Sequence, residues 1–177
     1  LESATLDSAY FDKGDGVSCT ATPTDGTDPG ESVGSANSAN IDNTLPTLES
    51  ASVLPEETNK PGTFTCSFTG WSDADPADAE ATVQYAWWQV GEAGNTLVEG
   101  AEAATFLPAG YETGARFICQ VTPVNGELEG EGVLSSEVVV INNAPTAPVV
   151  QIDPAEGKVE ESFTCIITEE ATDPDGD

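Results

Sequence analysis

Apolar residues in this chain recur at every second position in short stretches, and Gly, Pro, Asn or Asp closes each stretch. Residues 62–69, Gly-Thr-Phe-Thr-Cys-Ser-Phe-Thr, put Phe64, Cys66 and Phe68 on one side and hydroxyl residues on the other. That is the period of a half-buried β-strand. The same period predicts a strand over 81–90, with Val83, Tyr85 and Trp87 on one face and Trp88 and Val90 on the other. It predicts another over 114–122 that turns Phe117, Cys119 and Val121 inward. Residues 48–54, 95–98, 103–107 and 133–141, the last carrying Val138 and Val140, complete the set. Apolar residues at i, i+3, i+4 and i+7 are not sustained over three turns anywhere, so the chain is expected to be all-β.

The pattern repeats itself. Residues 1–41 laid above 101–141 keep step at an offset of 100, with Gly14 over Gly114, Cys19 over Cys119, Thr22-Pro23 over Thr122-Pro123 and Ile41 over Ile141. Residues 46–69 match 145–168 at an offset of 99, with Pro46-Thr47 over Pro145-Thr146 and Phe64-Thr65-Cys66 over Phe163-Thr164-Cys165. One further residue restores the offset of 100 and brings Asp73 and Asp75 over Asp173 and Asp175. Cysteines, prolines and glycines held in one register over such lengths mark an internal repeat. The expected plan is residues 42–141 as a complete repeat, 1–41 as the C-terminal half of the one before, and 142–177 as the N-terminal half of the one after. A chain so divided is expected to be a piece of something longer.

About seven strands in about 100 residues is the size of an immunoglobulin-type sandwich. The expected fold is therefore all-β, tandem immunoglobulin-like β-sandwich repeats of about 100 residues with an intradomain disulfide. Cys66, then Trp87-Trp88, then Cys119 resembles the immunoglobulin order, in which a disulfide between the sheets packs against a buried Trp. That resemblance implies a Cys66–Cys119 bond, with Cys19 and Cys165 pairing outside these residues. The alternatives are a reduced, buried pair or a zinc site; the latter lacks both His and a Cys-x-x-Cys spacing. A disulfide would place the protein in an oxidising compartment, secreted or on a cell surface.

Charge changes the picture further. The chain carries 4 Lys+Arg against 32 Asp+Glu, a net charge of -28. Nucleic acid is not an expected partner, because phosphate binding needs clustered cations, and an anionic membrane surface is excluded as a direct contact in the same way. No apolar run is long enough to cross a bilayer. With no His, the Ser–His and Cys–His nucleophile systems are absent from these residues, and no glycine-rich phosphate loop leads from a strand into a helix. The expectation is a structural or binding module, not an enzyme.

Two carboxylate-rich segments follow the first Cys strand of their repeats, Ser72-Asp73-Ala74-Asp75-Pro76-Ala77-Asp78 and Thr172-Asp173-Pro174-Asp175-Gly176-Asp177. Alternating Asp in a turn suits a hard cation, which gathers several oxygens at about 2.3–2.6 Å. Bare carboxylates about 4 Å apart repel by roughly 4 kcal/mol at a surface-like dielectric. In a two-sheet sandwich these loops lie beside the linkers 41–46 and 141–145, with the turn around Asn125, Glu127 and Glu129 at the same end. The candidate metal ligands are Asp73, Asp75, Asp78, Asp173, Asp175, Asp177, Asn142 and Asn143, and the candidate cofactor is calcium. Solvated acidic turns are the plainer account, since Asp-Pro-Asp-Gly is also an ordinary turn sequence.

Asn142-Asn143-Ala144-Pro145 after a terminal strand, with Asp-x-Asp in the following loop, resembles the calcium-stiffened linker of cadherin-type repeats. This chain lacks the full cadherin ligand set, and cadherin repeats lack such a disulfide. Cys-x-Val-Thr-Pro-x-x-Gly at 119–126 and Asn-Asn-Ala-Pro-Thr-Ala-Pro at 142–148 are similar to immunoglobulin-like (cadherin- or PKD-like) repeats of very large bacterial surface and extracellular proteins. That resemblance implies a stalk, adhesin or filament, with neighbouring repeats as partners and self-association into fibres as a further expectation. The other expectation is a carbohydrate- or protein-binding module that uses Trp71 or the outward member of Trp87-Trp88 to stack on a ligand.

Overall fold

The computed structural model describes residues 3–75, 78, 82–126 and 128–176. Among the described residues fifteen strands follow a 3-10 turn at Ser8–Tyr10: β1 Gly16–Val17, β2 Thr20–Ala21, β3 Val33–Gly34, β4 Ala39–Asn40, β5 Ser50–Leu54, β6 Glu57–Thr58, β7 Phe64–Thr69, β8 Thr82–Val90, β9 Thr96–Leu97, β10 Thr105–Phe106, β11 Arg116–Val124, β12 Val133–Leu134, β13 Val138–Val140, β14 Val149–Asp153 and β15 Thr164–Glu169. The chain is all-β, as its period-two pattern requires. The strand orders are β10-β7-β5 and β6-β13-β11-β8-β9, with β12 also on β11, and β1-β4, β2-β3 and β14-β15 form separate pairs. Among the described residues no helix is long and apolar enough to cross a membrane.

Internal contacts divide the chain into two units, and each is described by itself. The first comprises Leu1–Ser50, Phe68–Gln84 and Val121–Val133. In it β1 runs antiparallel to β4 and β2 to β3. A turn closed by Asp15 N–H on Asp12 O (3.1 Å) carries Lys13 and Gly14. Gly14 has φ 86, and its N–H donates to Ile41 O (2.8 Å), tying the turn to the start of the linker. Thr47 and Ser72 exchange backbone hydrogen bonds of 2.8 and 3.0 Å, which lays the linker along the acidic loop. Pro46 and Pro123 are fully buried.

The second unit comprises Ala51–Ser67, Tyr85–Gln120 and Leu134–Asp177. Its core is aromatic. Trp87, Phe64 and Phe117 have no exposed surface, and Phe106 packs on Trp87 (ring centroids 5.2 Å) and on Phe117 (4.8 Å). Tyr111 closes edge-on against Phe117 at 4.8 Å. Each buried ring of this kind removes apolar surface worth about 2–3 kcal/mol from water. Trp87 donates its indole N–H to Ala103 O (2.9 Å), so the buried polar atom is satisfied. Cys66 on β7 is bonded to Cys119 on β11, beside these rings.

The inward faces predicted around Phe64, Cys66, Phe117, Cys119 and Val121 are buried as expected; of the Trp87-Trp88 pair it is Trp87 that turns inward, and Val138 and Val140 are buried too. Three details differ. Phe68 is only half-buried, and Ile118, on the face expected to look outward, is buried. The stretch 133–141 is two strands, because Ser135 interrupts it: its Oγ accepts from Cys119 N–H (3.0 Å) and donates to Ser136 O (2.8 Å). A side chain that bonds the backbone in this way competes with the ladder.

Local structure follows the sequence offsets. Ser35 N–H donates to Cys19 O and Ser135 N–H to Cys119 O, at 2.7 and 2.8 Å. Gly30 bonds Pro23 O and Gly130 bonds Pro123 O, at 2.8 and 2.9 Å. The Leu54–Pro55 and Asp153–Pro154 peptides are both cis. Burial does not follow: Phe64 and Cys66 are buried, whereas Phe163 and Cys165 are exposed, along with Val150 and Ile152 of the same hairpin.

Candidate functional site

In the first unit the acidic loop closes on the linker through one residue. Asp75 is 7% exposed, and its Oδ2 accepts the Thr44 N–H at 2.7 Å as well as the Thr44 hydroxyl. Its own N–H donates to Asp73 Oδ1 (2.9 Å), the short turn that Asp favours. The Asn125 side-chain amide donates to Asp73 Oδ2 (3.0 Å), to Thr44 O (3.0 Å) and, at 3.4 Å, to Asn43 Oδ1. Asn125 Oδ1 in turn accepts from Leu128 N–H (2.9 Å), which fixes the amide in place. The turn around Asn125 therefore meets linker and loop, as expected. Glu129 instead accepts from Gln84 (3.2 Å), and Glu127 lies outside the described residues.

Asp73, Asp75 and Asp78 each offer an oxygen within 4.8 Å of the others, close enough to share one metal ion. Lys13 also reaches this cluster: its Nζ lies 2.5 Å from Asp78 Oδ2, with side chains only 22% and 11% exposed. The Thr44 hydroxyl and amide, followed by the Lys13 charge, hold the Asp75 carboxyl below its ordinary value of 3.8, because hydrogen bonds and a cation favour the ionised form. A cleft of about 280 Å³ lies alongside, lined by Phe11, Asp12, Lys13, Asp42, Thr44 and Asp75 among others.

The second unit repeats the motif. Asp175 Oδ2 accepts the Asn143 N–H (2.5 Å), and Asp175 Oδ1 accepts the Asn143 side-chain amide (3.0 Å). Asp175 N–H donates to Asp173 Oδ1 (2.8 Å), as Asp75 does to Asp73. Asn59 donates to Asn143 Oδ1 (2.6 Å), and Lys60 Nζ donates to Asp175 O (3.0 Å). Asp175 is held below 3.8 by the Asn143 backbone hydrogen bond first, and also by Lys60. Asn142 turns its amide onto Asn143 O (2.6 Å). Asp177 lies outside the described residues.

Trp71 is half-buried, and its indole N–H is enclosed without a partner. Trp88 is half-buried and donates to Gln120 Oε1 (3.1 Å). Cys19 and Cys165 are exposed free thiols. The sequence pointed to the aspartates but not to Thr44, Lys13 or Lys60. The one signal available was that two of only 4 cationic residues sit in turns, at Lys13-Gly14 and Lys60-Pro61-Gly62. Compared with known protein families, curated proteins and solved structures, the chain matches none.

Proposed function

We propose that this chain is a structural segment of tandem immunoglobulin-like sandwich repeats from a secreted or cell-surface stalk, adhesin or extracellular filament, and that it is not an enzyme. One observation carries the reading: the same clamp recurs at both linkers, with Asp75 on Thr44 and Asp175 on Asn143. An acceptor that takes two donors from one linker residue removes backbone freedom there, and a stalk needs stiffness at such points. The hydrogen bonds shared by 19–35 and 119–135 support the repeat plan of 1–41, 42–141 and 142–177. So does the exposed β14–β15 hairpin, which corresponds in repeat register to β5 and β7, where Phe64 packs against Trp87 and Phe117. The Cys66–Cys119 bond fits an oxidising compartment. Neighbouring repeats are the proposed partners, with self-association into fibres a further possibility of such a segment.

The rival reading, in which calcium and not a protein cation occupies the first loop, draws on the three carboxylates within 4.8 Å. A hard cation with oxygen ligands would suit them, and its affinity would fall in the weak extracellular range of roughly 10⁻⁴–10⁻³ M. Small-angle scattering of the chain beside an Asp75→Ala, Asp175→Ala variant tests the clamp. The variant is expected to give a more flexible profile with its tryptophan emission unchanged; superimposable profiles would remove the clamp from the reading.

A further inference from the structure

We propose that Lys13 is the resident cation of the Asp73–Asp75–Asp78 cluster, so that this joint closes without a divalent ion. The inference rests on the loops being joint clamps, and it names what neutralises the first. Three carboxylates within 4.8 Å of one another need compensation. Each already has a donor: Asp73 takes Asn125 and the Asp75 N–H, Asp75 takes Thr44, and Asp78 takes the ammonium of Lys13. Only the last donor carries charge, and it is largely screened from water at 22% exposure. A calcium ion wants 6–8 oxygens. Here it would have to displace an ammonium that the turn at 12–15 delivers, with Gly14 fastened to Ile41 at the head of the linker.

The second joint also brings an ammonium to its Asp loop, by another route and onto a backbone carbonyl in place of a carboxylate. In repeat register Lys13 corresponds to Thr113, so the first lysine has no counterpart there. The ammonium comes instead from Lys60, in a turn closed by Gly62 N–H on Asn59 O (2.8 Å), and it bonds Asp175 O at 3.0 Å. Against 32 acidic residues the chain has 4 Lys+Arg, and two of these end on the two Asp loops. A lysine ammonium is a compact point charge on a flexible stem, suited to replacing a small ion.

The test titrates calcium chloride, with magnesium chloride as control, into the native chain and into Lys13→Gln and Lys13→Arg variants. It follows heat of binding, melting temperature and exchange of the Thr44 amide. The native chain and Lys13→Arg should show no melting shift and no calcium heat up to about 1 mM, with Thr44 protected. Lys13→Gln should lose Thr44 protection by about tenfold, then regain it on binding calcium with a Kd of roughly 10⁻⁴–10⁻³ M. Intact tryptophan emission will show that the variant is folded. Native chain that binds calcium as tightly as Lys13→Gln overturns the inference while leaving the clamp in place. The same holds if Lys13→Gln keeps native Thr44 protection without calcium. A Thr44 amide unprotected in every sample instead refutes the clamp itself.

Discussion

Gly130 lies against the linker with no room for a side chain, which sets a sharp expectation for Gly130→Ala. A Cβ built there falls 1.9 Å from Pro46 O, 2.8 Å from Pro123 Cγ and 3.1 Å from Pro46 C. Ordinary contact begins near 3.4 Å, so the Pro46 carbonyl must retreat by about 1.5 Å. It cannot do so cheaply, because Pro46 is fully buried and Gly130 N–H is bonded to Pro123 O at 2.9 Å. The obstacle is backbone and not the end of a flexible side chain, so the cost should reach the upper end of the overpacking range, about 3 kcal/mol. Gly126→Ala is the control: it has φ 88 but nothing within 4 Å of its Cβ, and should cost about 1–2 kcal/mol from left-handed strain alone. Gly30→Ala, whose one tight contact is with the Pro23 ring at 2.9 Å, should fall between wild type and Gly130→Ala. Urea unfolding followed by tryptophan emission, with the slope unchanged, gives these differences. If Gly130→Ala lies within about 0.5 kcal/mol of Gly126→Ala, the linker does not rest on this glycine and the reasoning fails.

Replacing both Cys66 and Cys119 by Ala should lower the unfolding free energy by about 4 kcal/mol, since the bond closes a loop of 53 residues; a denaturant midpoint unchanged by the double substitution would contradict this. Acid should open both clamps. Asp75 and Asp175 have folded pKa values below 3.8, so their contribution is complete above the unfolded value and is lost as pH falls from about 4 through the folded one. Amide signals of Thr44 and Asn143 followed through an acid titration should move with midpoints below 3.8, and a midpoint at or above it in either signal refutes the assignment.

What the sequence made legible was whatever carries a period. Phe64, Cys66, Phe117 and Cys119 alternate on strands, and alternation alone identifies the buried side. Tyr111 and Pro46, which lie off the strands, have no period to reveal them, although both help close the core or the linker. Ser135 falls inside the expected strand 133–141, and that its hydroxyl breaks the ladder depends on a backbone 16 residues away. The aspartates declared their chemistry through spacing, and the offset of 100 tied one loop to the other. Their donors did not, because Lys13 meets Asp78 across 65 residues and Lys60 meets Asp175 across 115. Such pairings are decided by where turns place long side chains, and composition hints at them only through the scarcity of cations.

The clamp is made almost wholly from neighbours in sequence. Thr44 and Asp75 are 31 residues apart, and Asn143 and Asp175 are 32. If the chain is built of repeats as proposed, each Asp and the linker backbone it holds are therefore written within one short stretch of gene, while the lysine comes from further off. Unequal recombination between repeats would then add or remove whole units and leave every surviving Asp–linker clamp intact. Length becomes a quantity that selection can adjust in steps of about 100 residues, with no need to redesign a contact each time the number changes.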